Sequence, residues 1–510
     1  MSMIKIGWAE ADITPDKKVS LAGQFAERIS EYVEKPLTAT ALAIESGGEQ
    51  AVFVSTDLVG VSINLVEAIR DRIGSAAEKA GLDPMKVMIS AIHTHTAPVY
   101  PRITECKRAG SNAAISTAAK DILIDLLPEG RKYVESAPVT DNPEIISQEE
   151  TFELLVSRIS KAILDAWDAR SDGSFSNAFG RASVGHCRRV VYSDGSAQMW
   201  GDTNTAVFEE VECDSDDGIE LLFMKDGKGS VTGIVANIAC PAQCVQHRLF
   251  VSPDYWGEVK VRLRKYFGDS LYLLPLCAPA GCQCPVDMVR WVAPESDVND
   301  PNIEHPHPLK RKADPSMFDI SGMKVTGRRI ASEIIAVYEE GLDEAQKDVE
   351  FKHEVEIMEL PLRRATLADY EKARKGVKEY LKEHPGDVNF YDAAKMQVDL
   401  GILSRFKLQE YMNVVPIESH ILRLGTVAFS TNPFELFLKY GNQIRVRSKA
   451  EQTILIQLCN GTEGYLPTAK AERGGHYSAF ISSGECGHEG GDLFVRKTLE
   501  HINKMFPEVE

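Results

Sequence analysis

The sequence predicts a mixed α/β fold of layered sheets flanked by helices, and three observations carry that expectation. Apolar runs of strand length, such as Ala51 to Ser55 (AVFVS) and Lys86 to Ala91 (KVMISA), alternate with longer segments of helical spacing. A strand–helix–strand succession occurs near each end of the chain, an order that calls for parallel strand pairs covered by helices. Hydrophobic residues make up 44% and charged residues 26%, a balance that can bury a core and excludes a wholly disordered chain.

In chain order, Met3 to Ala9 reads as a short strand, halted by the turn residues Asp12 to Asp16. Ala39 to Ile44 and Ala51 to Ser55 follow as buried strands. Val61 to Lys79 puts Ile63, Val66, Ile69 and Ile73 on one helical face, and Lys86 to Ala91 is the next strand. Ser111 to Leu127 and Gln148 to Trp167 read as helices. Ala182 to Val184, Leu221 to Met224, Gly233 to Ile238 and Leu271 to Leu274 read as strands, and Lys324 to Tyr338 as a helix. Residues 287–317, rich in Pro, Asp and His, are expected to form a loop or lid. Residues 364–408 are expected to form a peripheral helical hairpin. Thr366 to Asp369 gives a capping start, and charge lies on most faces. Strand–helix–strand order returns at Leu424 to Ser430, Phe434 to Arg447 and Thr453 to Cys459, then a Gly-rich loop leads to a helix from Leu493 to Met505. The whole chain, 1–510, is expected to form a single domain with insertions.

Lys and Arg total 57 against 75 Asp and Glu, a net charge of -18. That balance argues against nucleic acid and against anionic membranes as partners, and leaves a small-molecule substrate. The longest apolar stretch, Leu271 to Val286, is broken by Pro275, Pro279 and Pro285 and is too short to span a bilayer. Glu10 and Asp12 interrupt the N-terminus where a signal peptide needs an unbroken apolar core, so a cytoplasmic location is expected. The ten cysteines are then expected to be mostly reduced thiols, although five of them, from Cys240 to Cys284, cluster within 45 residues. The oligomeric state is not legible.

Chemistry-bearing residues gather after the apolar strands. His93 and His95, in Ile92-His93-Thr94-His95-Thr96, lie at the end of a strand whose alternation would point both imidazoles one way, a start for a metal site. A second His-X-His pair, His305 and His307, sits in the Pro-rich loop. Glu435 stands where a strand turns into a helix, able to reach a ligand or simply to favour the helix N-terminus. Asn460 to Thr468, with Tyr465, opens the Gly-rich loop that continues through His476. Cys240, Gln243 and His247 follow one strand, and Cys282 and Cys284 follow another, without the spacing of a zinc knuckle. Arg188 and Arg189 could bind an acidic group of a substrate or be solvated charges.

Together these segments resemble the catalytic domain of the neutral/alkaline, non-lysosomal ceramidase family, as a divergent cytosolic member. Gly7 to Pro15 looks like that family's G-x-A-x-x-D-I-T-P start, and Val54 to Leu58 is similar to its strand ending in Asp. Ile92 to Pro98 looks like its H-T-H-[ST]-x-P motif. Asn432 to Glu435 sits where the family has P-G-E, and Asn460 to Tyr465 where it has N-x-Y-x-x-Y. The resemblance implies a zinc ion, or another divalent metal, held by His93, Glu435 and Tyr465, with His95 beside it assisting proton transfer. The family's second metal His aligns with Pro241, so His247, Gln243, Cys240 or Asp254 must complete the set; His247 is the ligand expected. The family's G-D-x-S-P motif becomes Gly281-Cys282-Gln283-Cys284-Pro285.

The implied function is a metal-dependent amide hydrolase acting on a small soluble substrate and not on membrane ceramide. Arg188, Arg189, Gln243, Cys284 and His476 are the expected substrate-binding residues. The alternative is a lyase, isomerase or ligand-binding protein for a sugar-like molecule, using the same altered pocket. Cys240 and Cys284 are expected near His93, where a thiolate could also complete the metal's ligands.

Overall fold

The computed structural model describes residues 2–24, 27–101, 117–134, 142–290 and 319–506. Its larger sheet has eight strands: β1 (Lys5–Asp12), β2 (Thr38–Ser46), β3 (Glu49–Thr56), β4 (Val87–Ala91), β5 (Ser171–Arg181), β6 (Gly218–Asp226), β7 (Val231–Ile238) and β8 (Tyr272–Cys277). From edge to edge the order is β8–β7–β6–β5–β1–β2–β3–β4. A second sheet has the order β9 (Phe351–Pro361), β10 (Val414–Leu424), β11 (Val427–Thr431), β12 (Gln452–Ile456).

Most neighbours are antiparallel, and short turns join β2 to β3, β6 to β7 and β10 to β11. Three pairs are parallel: β3/β4, β7/β8 and β11/β12. Each of these encloses one crossover helix: α1 (Ile63–Ala80), α3 (Tyr255–Phe267) and α5 (Leu438–Arg447) respectively. Two further helices complete the outer layer on the larger sheet, α2 (Gln148–Asp168) and α4 (Asp319–Glu340), and α6 (His488–Met505) joins α5 on the smaller. The two βαβ units expected from the sequence are present, and the β7–α3–β8 unit adds a third.

The molecule has four layers. The apolar faces of α1 and α2 pack with β2 to β4 through Leu65, Ile69, Ile73, Leu155, Ile159 and Val54. Helices α3 and α4 cover β6 and β7 through Val259, Leu263, Ile330 and Ile334. Between the sheets lie Trp8, Leu42, Phe53 and Leu274 from one side and Leu422, Phe429 and Ile454 from the other, with the rings of Phe53 and Phe429 5.0 Å apart. On the far face of the second sheet, α5 and α6 bury Tyr440, Ile444, Phe494 and Ile502 against Ile421 and Leu455. A sheet buried on both faces needs nearly continuous apolar strands, which explains AVFVS and GIVANI.

Three strands differ from expectation. The strand expected at Ala182 to Val184 is instead β5, ending at Arg181. Strands β9 and β10 were not anticipated; the burial of β9 alternates residue by residue at both ends, with Glu and Lys filling the solvent side. The 364–408 insertion folds as three helices, Leu367–Glu383, Phe390–Lys395 and Gln397–Leu408, with a break at Met396. It has an apolar cluster of its own, in which Val377, Leu381, Leu400 and Leu403 pack with Ile122 and Leu123 of the helix Thr117–Leu126. Of the 287–317 loop only residues 287–290 are described; the rest, His305 and His307 included, lies outside the described residues. No helix among the described residues is long and apolar enough to cross a membrane.

Candidate active site

The C-terminal ends of the three parallel pairs meet. Backbone bonds lace them together: Ala242 N–H donates to Ile92 C=O (3.3 Å), Gly281 N–H to Leu436 C=O (2.9 Å), Gln457 N–H to Cys277 C=O (3.0 Å) and Ala91 N–H to Leu458 C=O (3.3 Å). Gly281 is required for this closeness, because a Cβ there would lie 2.3 Å from the Glu435 carbonyl oxygen.

His93 and His95 converge for a different reason than strand alternation. Strand β4 ends at Ala91, and His93 takes a left-handed backbone, φ 69°. Such a conformation in a non-glycine residue is strained and tends to mark functional positions. His93 Nδ1 is 2.6 Å from the Val59 carbonyl oxygen, which makes it the protonated nitrogen and leaves the Nε2 lone pair to face the site. Nε2 lies 3.4 Å from His95 Nε2 and 3.5 Å from Glu435 Oε2. Glu435 and Tyr465 are direct partners in a short parallel ladder, so the two side chains stand next to each other.

His95 is held by its neighbours. Its carbonyl accepts from Arg28 Nη2 (2.7 Å), and its ring lies against Gly23. Gln243 bridges it to Arg188: Oε1 accepts from Arg188 Nη1 (3.1 Å), so the amide nitrogen, 2.9 Å from His95 Nε2, donates there. Burial, helped by the fields of His93, Arg28 and Arg188, holds the His95 pKa well below the usual histidine range. Arg188 is itself buried, with Nη2 3.4 Å from both the Gly281 carbonyl and the Tyr465 hydroxyl and 3.9 Å from Glu435 Oε2. Its Nε has no hydrogen-bond partner among the described residues. Burial by itself would lower the Arg188 pKa, but the surrounding Tyr465, Cys284 and Glu435 raise it, so the guanidinium stays charged. Tyr465 is pushed well above the usual phenol range by burial and by Glu435.

The remaining expected residues divide. Cys284 is buried under Arg188, its Sγ 3.3 Å from the Val286 carbonyl, and packs with Val286, Met288 and Trp200. Cys240 is buried too, 3.2 Å from the Val184 carbonyl. Burial raises both thiols, Cys284 to about 12, so neither is a thiolate at neutral pH. Arg189 is not available to a substrate. Fully buried, it pairs with Glu212 (2.8 Å) and donates to the carbonyls of Tyr477 (2.9 Å) and Gly475 (2.8 Å), clamping the Gly-rich loop. His247 Nε2 lies 3.5 Å from Asp319 Oδ1, an ion-pair geometry that lends its expected ligand role no support. His476 accepts the Met199 N–H at Nδ1 (3.1 Å), a structural bond. The next residue, Tyr477, missed in the sequence, packs edge-on to Tyr465 with centroids 5.5 Å apart. The motif Gly474 to Tyr477 pointed at the right segment, but histidine chemistry drew attention one residue early.

The His93 and Glu435 donors suit a divalent ion. Ligands about 2.0–2.2 Å from one tetrahedral ion lie ~3.3 Å apart, close to the separation of Nε2 and Oε2. Tyr465, paired with Glu435 on the ladder, would be a third protein donor, the number of an open catalytic site. A second group, Glu354, Glu356 and His501 on β9 and α6, brings three donor atoms within 4.8 Å of one another. There His501 Nδ1 already bonds Glu354 Oε2 at 2.6 Å and Lys504 lies nearby, a surface ion-pair cluster.

Four layers built on two mixed sheets, with the site at the ends of the parallel pairs, define a class already known from solved structures. The chain has the fold of the neutral ceramidases. It superimposes on the neutral ceramidase of Pseudomonas aeruginosa with a TM-score of 0.64 at 17% identity, covering 100% of this chain and 76% of that one. A ceramidase solved in complex with C2 gives a TM-score of 0.62 at 14% identity, covering 98% of this chain and 74% of that one. No family model and no curated protein matches the sequence.

Proposed function

We propose that the chain is a metal-dependent hydrolase of ceramidase type that cleaves an amide bond in a small soluble substrate. One observation carries the reading: His93, locked by the Val59 carbonyl, presents Nε2 3.5 Å from the Glu435 carboxylate. His93, Glu435 and Tyr465 would hold the ion, and zinc suits this N/O donor set. When bound, the ion supplies Lewis acidity toward a substrate carbonyl. His95, neutral, receives and returns a proton at Nε2 as the hydrogen bond from the Gln243 amide opens and closes. Arg188 binds a negatively charged group or developing oxyanion through its buried guanidinium, which stands 3.9 Å from Glu435. The Tyr465 and Tyr477 rings form an apolar wall beside it.

Elemental analysis of protein purified without chelators tests the proposal. About one divalent ion per chain is expected, lost in His93→Ala and in Glu435→Gln, together with hydrolysis of short N-acyl amides. A second reading has its own observation. The Arg188 guanidinium lies 3.4 Å from Tyr465 and 3.9 Å from Glu435, so a fixed cation stands beside two of the three donors. Metal-free protein whose fold and activity ignore added zinc would sink the first reading. It would favour a lyase, an isomerase or a binding protein for an anionic, sugar-like ligand.

A further inference from the structure

Three sulfurs meet on the far side of Arg188. Cys213 Sγ lies 3.2 Å from Cys187 Sγ and 3.1 Å from Cys282 Sγ. The three come from separate segments: Cys187 from the short strand just before Arg188, Cys213 from the end of the strand Phe208–Val211, and Cys282 from the turn after Gly281. Nothing in the proposed hydrolysis uses them. The position of Cys213 next to Cys187 follows from the ladder, where Val211 is paired with Val190 and Glu212 N–H donates to the Arg189 carbonyl (2.9 Å). Cys187 and Cys282 are buried, but Cys213 is partly exposed and lines a groove of about 760 Å³ with Glu212, Asp214, Leu438 and Lys439. Of the three cysteines, Cys213 is the one that borders the groove.

We propose that Cys213 and Cys187 form a redox-active dithiol, with Cys213 the sulfur that meets the oxidant and Cys187 the one that resolves it. The oxidant is a hydroperoxide entering the groove. Cys213 sulfur attacks the O–O bond and becomes a sulfenic acid, and the distal oxygen leaves as an alcohol or water. Cys187 sulfur then attacks the sulfenic sulfur, the S–O bond breaks, an S–S bond forms and water departs. Two thiols have lost two electrons and two protons, and one hydroperoxide has become one alcohol and one water. Access to the groove, and not acidity, assigns the roles: the Cys213–Cys187 hydrogen bond lowers the Cys187 thiol, while hydrogen bonding to Cys187 and Cys282 together with burial raises that of Cys213. The linkage would tie the strand carrying Arg188 to the groove.

The experiment is oxidation of the whole protein with hydrogen peroxide, alkylation of the remaining thiols in denaturant, and peptide mapping. Wild type is expected to lose two thiols and yield a Cys187–Cys213 linked peptide that dithiothreitol reverses. Cys213→Ser should give no linkage at all. Cys187→Ser should leave Cys213 as a sulfenic acid that dimedone labels, which keeps the test informative if the other variant folds poorly. A wild-type linkage between Cys213 and Cys282, no linkage under peroxide that oxidises surface methionines, or a dimedone adduct on Cys187 in place of Cys213 would overturn the assignment.

Discussion

Gly23 shows how much of the site rests on residues with no chemistry of their own. Its φ is +92°, and a Cβ there would lie 2.4 Å from His95 Cγ. Gly23→Ala should cost roughly 1–3 kcal/mol, from backbone strain and the displaced imidazole. Urea denaturation reads the loss, and turnover should fall further than stability because His95 moves. An unchanged midpoint would show that the loop relaxes freely. The buried cysteines give the opposite expectation. Cys240 and Cys284 are thiols on backbone carbonyls, so Cys240→Ala and Cys284→Ser should keep wild-type metal content and lose only about 1–2 kcal/mol of packing and hydrogen bonding. Loss of metal in either variant would restore the cysteine as a ligand.

At the scale of elements, the N-terminus of α3 is a pH-sensitive joint. Asp254 caps it with φ 55°, accepting from Tyr255 N–H (2.6 Å) and Val245 N–H (2.9 Å). Burial outweighs those bonds and pushes its pKa up to about 6 from 3.8. Between these values the folded chain keeps a proton that the unfolded chain has released. The contribution is therefore complete below pH 3.8 and is lost as pH rises through 6. Glu418 runs the other way. Burial would raise it, but His420 and Arg70 lower it below the ordinary glutamate value of 4.5, so its contribution is present above that value and lost as pH falls. Asp254→Asn should flatten the decline between pH 4 and 6 and leave the acid limb in place. Denaturation midpoints across that range would reveal an unaltered slope if Asp254 did not titrate there.

Across the whole molecule, the ligands of the proposed ion come from two βαβ units far apart in sequence: His93 follows β4, and Glu435 and Tyr465 follow β11 and β12. An ion that binds only the assembled site stabilises the fold by mass action, about 2.7 kcal/mol at a hundredfold excess over its Kd. Zinc should thus raise the melting temperature of wild type and leave that of His93→Ala unmoved. An equal shift in both would place the bound metal elsewhere, with Glu354, Glu356 and His501 the next group to mutate.

The sequence by itself determined the class of fold and the segments that carry the candidate site. Long apolar strands and 3.6-residue helical faces are local patterns, legible because burial on a sheet imposes them directly: β3, α1, β4, β7 and β11 fall where their residues say. His93, His95, Glu435, Tyr465 and Gln243 were legible as residues because each follows such a strand. Which of them touch was decided only in three dimensions. His95 faces His93 through a left-handed turn and not through strand alternation. Arg188 and Arg189 are neighbours of one type, yet the first enters the site and the second clamps a loop, since successive side chains on an extended backbone face opposite ways. Tyr477 and the Cys187–Cys213–Cys282 contact were invisible for the same reason. They join separate segments, the cysteines 26 and 69 residues apart, and no spacing along one chain records a distance set by how those segments pack.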